Sequence, residues 1–183
     1  MDNNILAKTL FSNPIWIVLN YLLQNPDLEL NDAEISKQIK NVQKSAVNVS
    51  LNKLFKIGLI KRTSRGRMKF NKLADSPLVE HLKIMSNLIY IQSLVDKIKP
   101  LCSKIILFGS RVGGTHNSES DFDLFVVTSD SKGVIKLGKP EEKIQVVFKT
   151  PVQMLSIEKD DQNLYKEIKK GIVLWECERQ SMG

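Results

Sequence analysis

Two short motifs carry the residue types of a site for a metal ion and a phosphate group. Residues 107–111 read Leu-Phe-Gly-Ser-Arg, and residues 121–124 read Asp-Phe-Asp-Leu. Alternate residues of a strand point to one face, roughly 6.6 Å apart along the chain. Asp121 and Asp123 can therefore converge on one hard cation. The pattern predicts an oxygen-ligand site for Mg²⁺ or Mn²⁺ beside a phosphate-binding turn.

The residues around these motifs follow strand and helix patterns in turn. We predict strands at 104–108, 121–128 and 143–149, with a short helix or turn beginning at Ser110. Two helices follow, one capped by Thr150 and Pro151 and one at 162–170, before a last strand or buried tail at 172–175. The prediction is a small mixed sheet whose strands position the two motifs.

The apolar strand, the Gly-Ser turn, the spacer and the Asp-x-Asp strand together resemble the minimal nucleotidyltransferases of the DNA polymerase beta superfamily. The resemblance covers residues 105–176. It implies a nucleoside triphosphate as ligand or substrate, with Asp121 and Asp123 as catalytic residues and metal ligands.

The turn and the spacer supply the implied contacts to the nucleotide. Gly109 lets the backbone approach the triphosphate, and the amides at a following helix start are oriented anion donors. Ser110 adds a hydroxyl donor and Arg111 neutralises phosphate charge. Ser120 lies beside the first carboxylate, where it can orient it.

Families of this kind hold a third acid in the next strand, shortly before a Thr-Pro helix start. Here that position is Gln145. A neutral amide removes one negative charge from a site that faces a divalent ion, a difference of about 4 kcal/mol at about 4 Å and an effective dielectric near 20. Glu141 and Glu142 are alternative acids, but they lie three or four residues too early. We therefore expect nucleotide binding with slow or absent transfer.

The net charge of +7 lies entirely in the first half of the chain. Residues 1–99 carry 15 basic and 8 acidic side chains, whereas residues 100–183 carry 12 of each. Between Glu34 and Asp75 there is no acid at all. Such a surface attracts a polyanion.

Three helices and a β-hairpin are predicted in this basic half. The first helix begins at Pro14, the second follows a capping box at Asn31, and the third begins near residues 43–45. The hairpin covers residues 59–73. This order resembles the winged helix-turn-helix DNA-binding domains over residues 10–74, and the resemblance implies double-stranded DNA as a partner. The candidate DNA contacts lie on the third helix and on the hairpin: Lys44, Ser45, Asn48, Asn52, Lys53, Lys56, Arg62, Arg65, Arg67 and Lys69. The alternative is a solvated basic face that binds a protein.

The predicted fold class is α+β, in three parts. Residues 1–75 form the winged helix, residues 76–99 a long linker helix, and residues 100–183 the nucleotidyltransferase-like α/β domain with a small mixed sheet. The linker helix has an apolar stripe that must be buried on a domain or on a second chain. We expect a homodimer.

Other features bound the class of protein. Cys102 and Cys177 are too few for a disulfide framework or a zinc site, and no apolar run is long enough to span a membrane. We expect a cytoplasmic protein with no membrane partner. His81 and His116 have no ligand partner at useful spacing, so we predict both at the surface.

Three functions remain open from the sequence. The chain is a DNA-binding regulator that senses a ligand, an enzyme that transfers a nucleoside monophosphate to a hydroxyl of a protein, RNA or small molecule, or an antitoxin-like module. The antitoxin-like module would act on a toxin-like protein partner and repress its own operon. The charge split and Gln145 favour the regulator.

Overall fold

A computed structural model describes residues 12–138 and 143–177. The chain divides into two compact units, one of residues 1–89 with 116–119 and one of residues 90–115 with 120–183. Within the described ranges the helices are α1 (Pro14–Gln24), α2 (Asp32–Gln38), α3 (Lys44–Lys56), α4 (Pro77–Ile98), α5 (Ser131–Gly138), α6 (Pro151–Asp160) and α7 (Gln162–Lys169). The strands are β1 (Leu30–Asn31), β2 (Ile60–Arg65), β3 (Met68–Leu73), β4 (Lys104–Phe108), β5 (Phe122–Val127), β6 (Ile144–Lys149) and β7 (Ile172–Glu176). The mixed α+β class is confirmed.

The helix starts of the first unit follow the predicted capping signals. The Asn13 side chain accepts from the Trp16 amide at 2.9 Å, directly before Pro14 at the first position of α1. Asn31 and Glu34 form a complete capping box at the start of α2. These caps satisfy amides that have no partner within the helix.

The three strands of the first unit form an antiparallel sheet in the order β1-β3-β2. Arg65 pairs with Met68, so the hairpin turns through two residues, and Gly66 has φ +61° there. The predicted hairpin is thus present. The helices and the sheet enclose one apolar core, whose fully buried members include Val18, Leu23, Ile35, Val47, Leu51 and Leu54. Assignment to the winged-helix family stays a prediction.

The second unit contains a four-stranded mixed sheet in the order β6-β5-β4-β7. β5 runs parallel to β6 and antiparallel to β4, while β4 also pairs with β7. All of β5 except Asp123 is buried, as expected for a central strand. On one face of the sheet, buried side chains of α6 and α7 pack against β4 and β5: Ile106, Phe125, Val127, Ile157 and Ile168.

Two short elements were not predicted from the sequence. α5 follows β5, and the two-residue strand β1 pairs with Asn71 and Phe70 of β3. The residues after Gly109 form turns, not a helix. Of the two predicted alternatives at Ser110, a short helix or a turn, the turn is observed, so the anion-binding amides that were expected at a helix start are not provided there.

The long helix begins at Pro77, where the Ser76 hydroxyl accepts from the Val79 amide at 3.3 Å. Val79, Ile91, Leu94, Val95 and Ile98 are buried within the chain, whereas Leu78 is 61% exposed and Leu82, Met85 and Leu88 are partly exposed. The buried residues do not require a second copy, and the homodimer stays a prediction. Among the described residues no helix is long and apolar enough to span a membrane.

Candidate functional site

Three neighbouring strands bring both carboxylates and Gln145 to one place. Phe108, the last residue of β4, pairs with Asp123 of β5, and Asp123 pairs with Gln145 of β6. Residues that pair across a sheet share a face, and Asp121 lies two positions before Asp123. The buried Phe122 between them faces the opposite side. The sheet thus places Asp121, Asp123 and Gln145 together.

Gly109 is required where β4 ends. Its φ of +77° lies in the left-handed region that favours glycine. A Cβ atom here would also overlap the Asp123 carboxylate. The turn can therefore bring its backbone against the carboxylate only because residue 109 has no side chain.

The two carboxylates repel each other. Burial raises the pKa of Asp123, and the charge of Asp121 raises it further, while Arg111 acts in the opposite direction. Ionised Asp123 is therefore destabilised in the protein alone. A divalent cation shared with Asp121 would relieve that destabilisation.

Gln145 contributes a hydrogen-bond donor at the position where the resemblance implies a third acid. Its Nε2 atom donates to Oδ2 of Asp121 at 2.6 Å, and its side chain is exposed. The bond neutralises no charge, but it satisfies one carboxylate oxygen. Glu141 and Glu142, the alternative acids, lie outside the described residues.

The donor set fits one divalent cation better than two. Two carboxylates and one amide can supply oxygen ligands of the kind that Mg²⁺ accepts. Within residues 12–138 and 143–177, no three His, Cys, Asp or Glu side chains form a cluster that could hold a metal ion. A cation held here would have Asp121 and Asp123 as its charged ligands and Gln145 as a neutral third group, and these ligand roles stay predictions.

Arg111 is buried beneath the site, with 2% of its surface exposed. Its guanidinium donates to the carbonyl oxygens of Ser120 at 2.7 Å and Asp121 at 3.3 Å. It also lies 3.9 Å from the centre of the Phe122 ring, which stacks on Tyr90. Burial lowers the pKa of Arg111, and the nearby acidic groups oppose that shift. The structure gives Arg111 a role in holding the start of β5, and its phosphate contact stays a prediction.

The serines of the motif lie close to the turn. The Ser110 carbonyl accepts from the backbone and side chain of Thr115 at 3.1 and 3.2 Å, which closes the loop after Gly109. Ser110 and Ser120 are both partly exposed. Their contacts to a nucleotide stay predictions.

The segment between the two motifs includes residues that cluster with the first unit. His116 was predicted at the surface, but only 3% of it is exposed. Its Nε2 lies 3.0 Å from the Leu23 carbonyl and its Nδ1 lies 3.4 Å from Asn87 Nδ2. The prediction for His116 was wrong because its partners are distant in the sequence.

Ser118 is anchored in the same segment. Its amide and hydroxyl donate to the two carboxylate oxygens of Asp27, at 2.6 and 2.9 Å. Burial acts to raise the pKa of Asp27, but the hydrogen bonds from Ser118, together with that of the Asp27 backbone and the charge of Lys72, lower it on balance. No periodic pattern in the sequence reveals such a contact.

Most of the candidate DNA contacts lie on exposed surface of α3 and the hairpin. Eight of the ten are exposed, and Asn48 and Arg62 are partly buried. The exposed residues are Lys44, Ser45, Asn52, Lys53 and Lys56 on α3, and Arg65, Arg67 and Lys69 on the hairpin. Arg65 is exposed but forms an ion pair with Glu29 at 2.5 Å. Arg62 is half-buried and donates to Asn52 and Asn71, so it differs from the outward-reaching arginine that the sequence suggested. The predicted DNA contacts stay predictions.

The comparisons with known proteins identify the second half of the chain. Residues 90–180 match the family model described as Polymerase beta, Nucleotidyltransferase, so this part of the chain is a nucleotidyltransferase-family domain. The family generally uses a divalent metal and a nucleoside triphosphate.

The similarity of this chain to whole proteins is weak. No curated protein matches the chain. The crystal structure of AF1382 from Archaeoglobus fulgidus is similar at 18% identity and a TM-score of 0.36, covering 49% of this chain and 92% of that chain. A likeness of this size supports no conclusion about fold or function.

Proposed function

We propose that this protein is a DNA-binding regulator whose nucleotidyltransferase-family domain binds a divalent-metal nucleoside triphosphate. Transfer of its nucleoside monophosphate to an acceptor hydroxyl, with release of pyrophosphate, is slow or absent. The observation that carries the proposal is the Gln145 side chain, which donates to Asp121 in the place of a third carboxylate. Two carboxylates retain the charge needed for one cation on a triphosphate. The second cation, which would activate an attacking hydroxyl, loses its third charged ligand.

Nucleotide binding is tested by calorimetric titration of the full chain with Mg-ATP. We expect heat of binding in the wild-type protein and its loss in Asp121→Ala. Heat that is unchanged by Asp121→Ala would place binding elsewhere. No heat at all would remove the nucleotide part of the proposal.

Transfer is tested separately with radiolabelled nucleotide. Gln145→Asp restores a carboxylate at the family's third position, so we expect a large gain in label transfer over wild type. Strong transfer by the wild-type protein would favour the alternative function, an active nucleotidyltransferase that modifies a protein, RNA or small molecule. That enzyme could serve as the antitoxin-like partner of a toxin.

The regulator part rests on charge and placement. Basic side chains of α3 and β3, including Lys44, Lys53, Lys56 and Lys69, are exposed on one unit whose sequence from residue 35 to residue 74 contains no acid. Phosphate contacts by such residues make binding strongly salt-dependent. A second helix of a helix-turn-helix pair reads bases in the major groove, and α3 is that helix in this proposal.

A gel shift with duplex from the protein's own upstream region tests DNA binding. We expect tight, salt-sensitive and sequence-selective binding that falls when Arg65 and Arg67 are both replaced by alanine. The matched control replaces Lys166 and Lys169 by alanine, because both lie on α7 of the other unit. Absence of binding to any duplex at low salt would remove the regulator and favour the enzyme.

A further inference from the structure

A chain of hydrogen bonds fixes the orientation of the exposed Asn52 amide on α3. The chain starts at Asp32, whose carboxylate accepts from Asn71 Nδ2 at 2.8 Å. Asn71 is completely buried, and its Oδ1 accepts from Arg62 Nε at 2.8 Å. Arg62 Nη1 then donates to Asn52 Oδ1 at 2.7 Å. Four side chains from α2, β3, β2 and α3 are thus linked in one direction.

The direction of this chain follows from chemistry. An ionised carboxylate only accepts hydrogen bonds, and a guanidinium only donates them. The oxygen of Asn52 must therefore face Arg62, and the two hydrogens on Nδ2 remain for a ligand. Arg62 is held further by the Phe55 ring, whose centre lies 5.2 Å from the guanidinium carbon. Its Nη2 is also buried.

We propose that Asn52 reads a guanine in the major groove through its amide donors, with Arg62 as the residue that sets this preference. This inference rests on the proposed DNA-binding function. Guanine presents two neighbouring acceptors, O6 and N7, whereas adenine presents an acceptor beside an amino group. An unconstrained asparagine pairs with adenine, because its oxygen accepts from that amino group while its nitrogen donates to N7.

Arg62 removes the adenine option for two reasons. It occupies one lone pair of Asn52 Oδ1. A carbonyl oxygen has a second lone pair, but the guanidinium charge beside it repels the partly positive amino hydrogens of adenine. The same charge attracts the acceptors of guanine.

Selection from a library of random duplexes at fixed salt tests the proposal with the full chain. We expect the wild-type protein to prefer guanine over adenine about tenfold at one position, as one well-placed base contact allows. Asn52→Ala removes that preference at that position alone. Arg62→Met frees the asparagine oxygen and shifts the same position from guanine to adenine. Lys69→Met is the matched control, because it removes one positive charge from the hairpin and lowers affinity without changing base preference.

A DNA analogue supplies a second measurement that does not depend on the folding of Arg62→Met. Replacing the selected guanine by 7-deazaguanine removes one acceptor, so it weakens wild-type binding and leaves Asn52→Ala unaffected. Two results overturn the proposal. One is a wild-type preference for adenine at the position where Asn52→Ala loses its selectivity. The other is an Arg62→Met protein that melts at the wild-type temperature and still prefers guanine there. Both results leave DNA binding intact. If no duplex is enriched, the proposed regulator fails together with this inference.

Discussion

Replacing Gln145 by glutamate tests directly whether one missing negative charge limits the metal site. Gln145 donates to Asp121 Oδ2 at 2.6 Å, so a side chain of the same length and shape reaches the same place. Ionised glutamate only accepts hydrogen bonds. Gln145→Glu therefore removes a hydrogen bond to a carboxylate and places a third negative charge beside Asp121 and Asp123.

The magnitude follows from Coulomb's law. Two unit charges about 4 Å apart interact by about 4 kcal/mol at an effective dielectric near 20. Because residue 145 is exposed, solvent screening reduces this to about 1 kcal/mol. Without metal, Gln145→Glu should lose about this much free energy of unfolding. When Mg²⁺ is bound the added charge is attractive, so Mg²⁺ affinity should rise roughly fivefold, since about 1 kcal/mol corresponds to a factor of about five.

Thermal unfolding with and without Mg²⁺, together with Mg²⁺ calorimetry, measures both effects. The control is Gln162→Glu, which makes the same charge change on an exposed glutamine at the start of α7. We expect Mg²⁺ to stabilise Gln145→Glu more than the control. If Mg²⁺ stabilised Gln145→Glu and Gln162→Glu equally, the reasoning would be refuted, because the added charge would then act through the overall charge of the protein and not at the site.

Three further predictions concern single residues. Asp121→Asn should lower the pKa of Asp123, measured by NMR titration, because it removes a neighbouring negative charge. A carboxyl group whose pKa is raised in the folded state stabilises that state as pH falls through the pKa, so the variant should gain less stability on acidification than the wild type. An unshifted Asp123 titration contradicts this prediction. Gly109→Ala and Gly66→Ala both place alanine at positive φ, so each should lower the free energy of unfolding, measured with denaturant, by about 1 kcal/mol. Only Gly109→Ala should also weaken Mg-ATP binding, because only its Cβ atom meets a carboxylate. Glu29→Gln should raise duplex affinity in gel shifts, since it removes an acid that pairs with an arginine of β2, and an unchanged affinity would exclude that arginine from the contact.

The sequence was sufficient to predict the backbone of the site. The alternation of acids with apolar residues assigns Asp121 and Asp123 to one strand face, because Phe122 and Leu124 must be buried on the other. Capping residues such as Asn31 fixed the helix starts within a residue or two. The strand that carries Gln145 was also placed correctly. Patterns of this kind depend on neighbours in the chain, and these are visible in a single sequence.

The direction of long polar side chains could not be predicted. The sequence did not show that the Arg111 guanidinium packs on the Phe122 ring and donates to backbone carbonyls, while its contact with phosphate stays a prediction. His116 is buried by contacts to residues 29 and 93 positions away. A side chain with several rotatable bonds can reach many partners, and only the packed structure decides which of them it meets.

The side-chain amides of Asn52 and Gln145 are each oriented by the charged group beside them. Arg62 donates to Asn52, so the oxygen of Asn52 is used and its nitrogen is left as a donor. Asp121 accepts from Gln145, so the nitrogen of Gln145 is used and its oxygen is left as an acceptor. The first amide suits a base edge that accepts hydrogen bonds, and the second suits a cation. A carboxylate in place of Arg62, or a cationic side chain in place of Asp121, would turn the neighbouring amide around. In both proposals, therefore, Arg62 and Asp121 set which atom of Asn52 and of Gln145 faces the ligand.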